Sequence, residues 1–343
     1  MRLIRRKAFA RAGLLGNPSD GYFGKTISII VRNFCAEVTL YEWDRVEVVP
    51  SQEDKSYFRS VDELARDVRL HGYYGGIRLV KATIKKFVEF CHKQNLPLHA
   101  QNFSIRYQSN IPRQVGLAGS SAIIVATLRC LMEFYQIEIP LEVQPSLVLS
   151  VETEELNIAA GLQDRVIQVH EGLVYMDFSR EKMHECQGLT CGVYERLDPA
   201  LLPPLYLAFS ADVSEPTEVV HNDLRSRWRQ GEPAVVEAMT QFARIAQRGR
   251  QALLDGDYPL LGQLMDDNFD LRRSICRIAR DQLRMIDVAR ACGARAKFAG
   301  SGGAILGSYP DAQTFARLET ELGQIGCRVI RPQITADRAP NGR

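Results

Sequence analysis

The stretch RQVGLAGSSAIIVATLRCL, residues 113–131, constrains the fold more than any other part of the chain. Two glycines and two serines run without a break into apolar residues at helical spacing. Glycine supplies the tight turns of such a loop. The helix behind it presents unpaired N–H groups and the positive end of its dipole. The junction therefore reads either as an anion-binding mouth or as an ordinary N-cap after a flexible turn. No lysine follows the glycines and G-x-G-x-x-G is absent, so it is neither a Walker loop nor a dinucleotide fingerprint. FSIRYQSNIP ahead of it alternates as a strand and stops at Pro112. The unit is strand, loop, helix, with the helix running over about 120–135.

Two more glycine segments flank this one at a distance. KFAGSGGAI sets Gly300, Ser301, Gly302 and Gly303 between apolar strands. ARAGLLGNPSD puts Arg11 in a semi-apolar strand that leads into a polar turn with Asn17, Ser19 and Asp20. Elsewhere, ISIIVRNFCAEVTLYEW, RVEVVPS and PLYLAFSAD read as strands. Residues 76–95 have helical periodicity, with Leu79, Ile84, Val88 and Cys91 on one face. PSLVLSVETEELNIAAG reads as one helix ending at Gly161, and RVIQVHEGLVYMDFS as a helix or turn followed by a strand. Residues 225–291 are almost wholly helical, RLETELGQIG is helical, and CRVIRPQI closes the chain as a strand. This order is α+β. A length of 343 residues exceeds one ordinary core, so two domains are expected, 1–210 and 211–335, with 336–343 a disordered tail.

Composition bounds the function. Net charge is +2, which gives no support to a nucleic-acid-binding surface. No apolar run approaches the roughly 20 residues that span a bilayer. MRLIRRKAFARAGLLG opens on basic residues but lacks the apolar core of a signal peptide, so a cytoplasmic location is the expectation. Eight cysteines with no C-x-x-C pair fit a reducing compartment. HECQGLTC gathers His184, Cys186 and Cys191, but its spacing matches no usual zinc pattern, and it reads as a loop with small buried thiols.

RAGLLGNPSD, PRQVGLAGSSA and KFAGSGGA together, in this order and spacing, resemble the three motifs of the GHMP kinases, the small-molecule kinases that include galactokinase, homoserine kinase and mevalonate kinase. GLLGNPSDGYFGKTIS, AGLQDRV followed by GLVYMDF, and NFDLRRS are most similar to glucuronokinases of plants. Asn17 and Pro18 stand where galactokinases carry an acidic residue and a histidine, which weakens galactose as a substrate. The resemblance implies a first domain like domain 2 of ribosomal protein S5, a ferredoxin-like second domain, ATP and magnesium as cofactors, and phosphorylation of a sugar acid at its anomeric hydroxyl.

The same resemblance assigns residues. Asp164 would face the sugar hydroxyl as catalytic carboxylate, with Arg11 the cation beside it. Pro112, Gly116, Leu117, Ala118, Gly119, Ser120, Ser121 and Ala122, with Gly300, Ser301 and Gly302, would hold the nucleotide. Ser121 and Glu152 would ligate magnesium, Glu155 being the alternative to Glu152 and Glu154 pointing elsewhere. Asn17, Ser19, Asp20 and Arg113 would bind substrate. The sugar's carboxylate needs a cation, with Arg113, Arg165, Lys25 and Arg32 near the motifs. Arg272 and Arg273 read as solvated helix residues, one of which could reach a substrate anion. A kinase for another sugar, such as galactose, galacturonate or arabinose, is the runner-up. A non-catalytic relative fits poorly with intact Arg11, Ser121 and Asp164.

Overall fold

β-branched and aromatic residues from position 3 to 43 build one long antiparallel pair, β1 (Leu3–Leu15) and β2 (Lys25–Trp43). The computed structural model describes residues 3–50, 54, 60, 75–210 and 218–336. The β1–β2 register runs from Leu3 opposite Tyr41 to Leu15 opposite Ile27, and it slips on either side of Arg11, between Phe9 and Ala10 and between Gly13 and Leu15. On its other edge β2 pairs first with β5 (Leu173–Asp177) and farther along with β4 (Asn102–Ser109). β3 (Glu47–Val49) lies parallel to β4, and β8 (Val193–Leu197) closes the far side next to β5. A separate hairpin joins β6 (His184–Cys186) to β7 (Leu189–Cys191).

Helices α1 (Gly76–Lys93), α2 (Gly119–Tyr135), α3 (Gln144–Ser150) and α4 (Gln163–His170) accompany this sheet. α2 packs on β1, β2 and α1, and its residues from Ser121 to Leu128 are all buried, as its unbroken apolar run demands. α1 turns Leu79, Val80, Thr83, Phe87, Phe90 and Cys91 inward. Ile84 and Val88, expected on the buried face, sit half-buried at its margin, because the phenylalanines set the centre of the contact. The helix expected to reach Gly161 stops at Ser150 and passes through a π-helical turn, Val151–Glu155, into irregular chain. Tertiary contacts divide its acidic run: Glu152 turns inward, while Glu154 and Glu155 pair outward with Lys86 and Lys85.

The second sheet has the order β10-β11-β9-β12, all antiparallel, from β9 (Leu205–Ser210), β10 (Lys297–Phe298), β11 (Ala304–Ser308) and β12 (Cys327–Ile330). α5 (Glu218–Arg229), α6 (Pro233–Asp255), α7 (Tyr258–Ile275) and α8 (Arg280–Ala291) bridge β9 to β10, and α9 (Ala312–Gln324) bridges β11 to β12. This is the βαββαβ order of a ferredoxin-like sandwich, as expected, with extra helices in its first crossover. The expected division at 210 falls at the end of β9, which by its pairing belongs with the second sheet. One apolar cluster joins Ile4, Leu15 and Ile27 of the first sheet to Leu253, Leu261 and Met265 of α6 and α7 and to Leu207 and Leu306 of the second sheet. Residues 337–343 of the expected tail lie outside the described residues. Among the described residues no helix is long and apolar enough to cross a membrane.

Candidate active site

Arg11 is 6% exposed, and a buried guanidinium must satisfy all its donors. Its Nε donates to Asp164 Oδ1 at 2.6 Å and its Nη2 to Oδ2 at 2.7 Å, a two-pronged pair. Nη1 donates to the Gly116 carbonyl at 2.5 Å and to that of Ala299 at 3.4 Å. One side chain from the first glycine segment thus holds the second, the third and the candidate catalytic carboxylate. The backbone repeats the connection: the Arg11 N–H donates to the Leu117 carbonyl at 3.3 Å and the Gly13 N–H to that of Ala299 at 2.7 Å. A β-carbon on Gly300 would collide with the Gly116 carbonyl oxygen and with Arg11 Nη1. Gly116 has φ +69° and leaves too little room for a β-carbon beside Ser301 and Gly302. Glycine at these two positions lets the loops touch.

The middle loop enters α2 through Ala118, in the left-handed region at φ 61°, so the helix starts at Gly119. Its first-turn N–H groups face the loop, with Ser120 half-buried at their edge. Leu117 and Ala122 are buried beneath, and Pro112 half-buried at the approach. Gln168 of α4 braces the junction by donating to the Ala118 carbonyl at 2.8 Å and to that of Phe9 at 3.0 Å. Arg113 is exposed.

Asp164 sits in the first turn of α4 with 20% of its side chain still exposed, so a substrate can reach it. Arg165 beside it is buried and donates through Nε and Nη2 to Glu152 Oε2, at 2.6 Å for Nε. Its Nη1 donates to the Gly161 carbonyl at 2.9 Å and lies 3.5 Å from Asp164 Oδ2. Glu152 is therefore an inward carboxylate in an ion pair, and Glu155, bound to Lys85, is not its equal as a candidate ligand. Burial pushes the Glu152 carboxyl above the usual range despite Arg165. Arg165 takes only Oε2. Ser121 donates to the Ala118 carbonyl at 3.3 Å and keeps its lone pairs. The Ser121 hydroxyl and the other Glu152 carboxylate oxygen are each the hard donor type that magnesium takes.

Asp20 faces this group. Its Oδ2 accepts from the Gln163 N–H at 3.2 Å, and a β-carbon on Gly161 would strike it. Burial, then the neighbouring Asp164 charge, raises the Asp20 carboxyl to about 6. The rest of that turn is scaffolding. Ser19, expected to bind substrate, is 0% exposed and spends its hydroxyl on the Lys25 carbonyl at 3.0 Å. Asn17 is 6% exposed; its Oδ1 accepts from Lys297 Nζ at 2.7 Å and its carbonyl from Asn268 Nδ2 at 3.1 Å. Ser19 thus commits its hydroxyl to shaping the turn, and Asn17 commits its Oδ1 and its carbonyl.

The residues that lock these loops carry only weak marks of that role in the sequence. Lys297, fully buried, also donates to the Gly13 and Phe298 carbonyls, each at 2.7 Å. Burial, with the Arg272 and Arg11 charges, drives its pKa well below the ordinary lysine value. Asn268 and Arg272 stand four apart on α7. Asn268 Oδ1 accepts from the Gly16 N–H at 2.7 Å, while Arg272 donates to the Gly300 carbonyl at 2.7 Å and that of Ser301 at 2.9 Å. Arg272, expected to be solvated, is 4% exposed; Arg273 is exposed. The available signal was the i, i+4 spacing of NFDLR, which puts both polar groups on one helix face.

Residues 78–172 match the family model described as the GHMP kinases N terminal domain. Over 325 residues the chain is 44% identical to glucuronokinase 1 of Arabidopsis thaliana, covering 93% of this chain and 88% of that protein. The chain belongs to the GHMP kinases, in their glucuronokinase branch. Solved structures agree on the fold. Lactococcus lactis galactokinase complexed with galactose superposes at a TM-score of 0.75, with 13% identity and 97% of this chain and 94% of that chain covered. Methanococcus jannaschii mevalonate kinase gives 0.71, with 16% identity and coverage of 98% and 99%. This GHMP kinase is a phosphotransferase acting on a sugar, with ATP as co-substrate.

Proposed function

We propose that the enzyme transfers the γ-phosphoryl group of ATP to the anomeric hydroxyl of D-glucuronate, yielding glucuronate 1-phosphate and ADP. The observation that carries the chemistry is the Arg11 fork on Asp164, tied through Nη1 to the glycine loop. The identity of the sugar rests on the likeness to glucuronokinase 1 over nearly the whole chain. Asp164 orients the anomeric hydroxyl and accepts its proton as the oxygen bonds to phosphorus. Arg11 fixes that carboxylate and faces the charge that spreads over the transferred group. The loop and the α2 N-terminus hold the phosphates. Ser121 and Glu152 would hold magnesium, which supplies positive charge between phosphate oxygens. Asp20 accepts from a sugar hydroxyl.

The substrate's carboxylate requires a cation. Three candidates are taken: Lys25 by Asp177, Arg32 by Glu171 and Arg165 by Glu152. Arg225 is half-buried and donates to the Ala160 carbonyl at 3.2 Å, one residue from the glycine that packs on Asp20. It makes no ion pair among the described residues, and we assign it to the carboxylate. The test compares kcat/KM for glucuronate, glucose and galactose in wild type and in Arg225→Gln. Wild type is expected to reject glucose, and the variant to lose glucuronate turnover selectively. A wild-type preference for a neutral sugar would defeat the glucuronate reading and leave the kinase standing.

A further inference from the structure

The hairpin β6–β7 and the segment ahead of α3 bring three metal-ligating side chains together, with a fourth, Cys191, beside one of them. His184 and Cys191 are directly opposed in the hairpin register, and Cys186, two residues from His184, points to the same face. Glu142, 42 residues ahead in the sequence, comes from another part of the chain. Cys186 Sγ donates to its Oε1 at 3.1 Å. The ligand atoms of Glu142, His184 and Cys186 lie within 4.8 Å of one another. Cys191 is buried, lies against Cys186, and has Ser146 Oγ at 3.7 Å from its sulfur. All the cysteines are free.

The geometry points to a structural divalent-metal site of the zinc class, with Glu142, His184, Cys186 and Cys191 as its ligands. One nitrogen, two sulfurs and one oxygen make four donors, the number a closed tetrahedral site needs. The mixed soft and borderline set favours zinc over magnesium or calcium. The proton that Cys186 shares with Glu142 occupies the place of the cation; binding sends the thiol protons to solvent and leaves both sulfurs as thiolates. Ser146 supports the site from behind, since its hydroxyl donates to the Thr190 carbonyl at 2.6 Å beside Cys191. The ion would staple the hairpin to the start of α3, whose far end leads into Glu152.

The test uses the full chain, reduced and freed of metal by chelation, titrated with cobalt(II) and then zinc(II). One equivalent of cobalt is expected to give a thiolate-to-metal charge-transfer absorption that zinc abolishes. Affinity should fall by about tenfold or more in each of Glu142→Ala, His184→Ala and Cys186→Ser. Zinc should raise the melting temperature of wild type but not of Cys186→Ser. His184 is exposed, so its replacement leaves folding and turnover intact and isolates the metal effect. Wild type that binds no stoichiometric cobalt overturns the site. So does binding that needs the cysteines but is indifferent to His184 and Glu142.

Discussion

Arg11 uses all three of its nitrogens on partners from three distant segments, so a lysine there keeps the charge and loses the connection. Arg11→Lys is expected to lower kcat by about 100-fold or more with a smaller change in KM, measured in steady-state turnover. Asp164→Asn should fold normally and lose on the order of 10²–10⁴ in turnover while nucleotide affinity is kept; wild-type turnover would remove Asp164 from the chemistry. Asp20 sets a pH dependence. Its carboxyl titrates near 3.8 when unfolded and about 6 when folded, so the native state holds the proton longer. Its stabilising contribution is full below 3.8 and is lost as pH rises to about 6. Between those limits Asp20→Asn should gain stability relative to wild type in urea titrations, with a constant difference above them. Parallel profiles would show that Asp20 is not shifted. In wild type kcat/KM should also fall below about pH 6, the limb expected of a carboxylate that must be ionised to receive the sugar.

At the scale of elements, α7 clamps the first and third glycine segments from one face, Asn268 on the first and Arg272 on the third. Arg272→Met preserves volume but leaves two buried carbonyls without donors. It is expected to cost about 1–3 kcal/mol of stability per orphaned group and to raise KM for ATP, read by denaturation and by nucleotide titration. A normal KM in a folded Arg272→Met protein would show that the loop keeps its shape unaided. The failed expectation at 145–161 belongs to this scale too. Its helical pattern is genuine over residues 144–150, but Glu152 must turn inward to Arg165 while the next two glutamates reach lysines on α1. No local propensity encodes that division.

Across the whole molecule, a single apolar cluster passes from the first sheet through α6 and α7 into the second. Heating should therefore unfold the chain in one calorimetric transition; two resolved transitions would mean that the sheets are stabilised separately. The sequence by itself determined the elements whose cues are local: the β1–β2 strands, the start of α2 behind its glycines, and the three loops that mark a GHMP kinase. It also named Arg11 and Asp164 as neighbours, which the fold joins in one ion pair. Tertiary structure alone decided which polar residues brace the loops. Asn17 and Ser19 look like binding groups in the chain, yet both are buried and bonded into the turn, while Lys297, Asn268 and Arg272 look like ordinary strand and helix residues and bond the glycine loops together. The physical reason is that a buried polar group takes whatever partner folding brings within hydrogen-bond reach, and the partner can lie 284 residues away along the chain, as Gly13 does for Lys297.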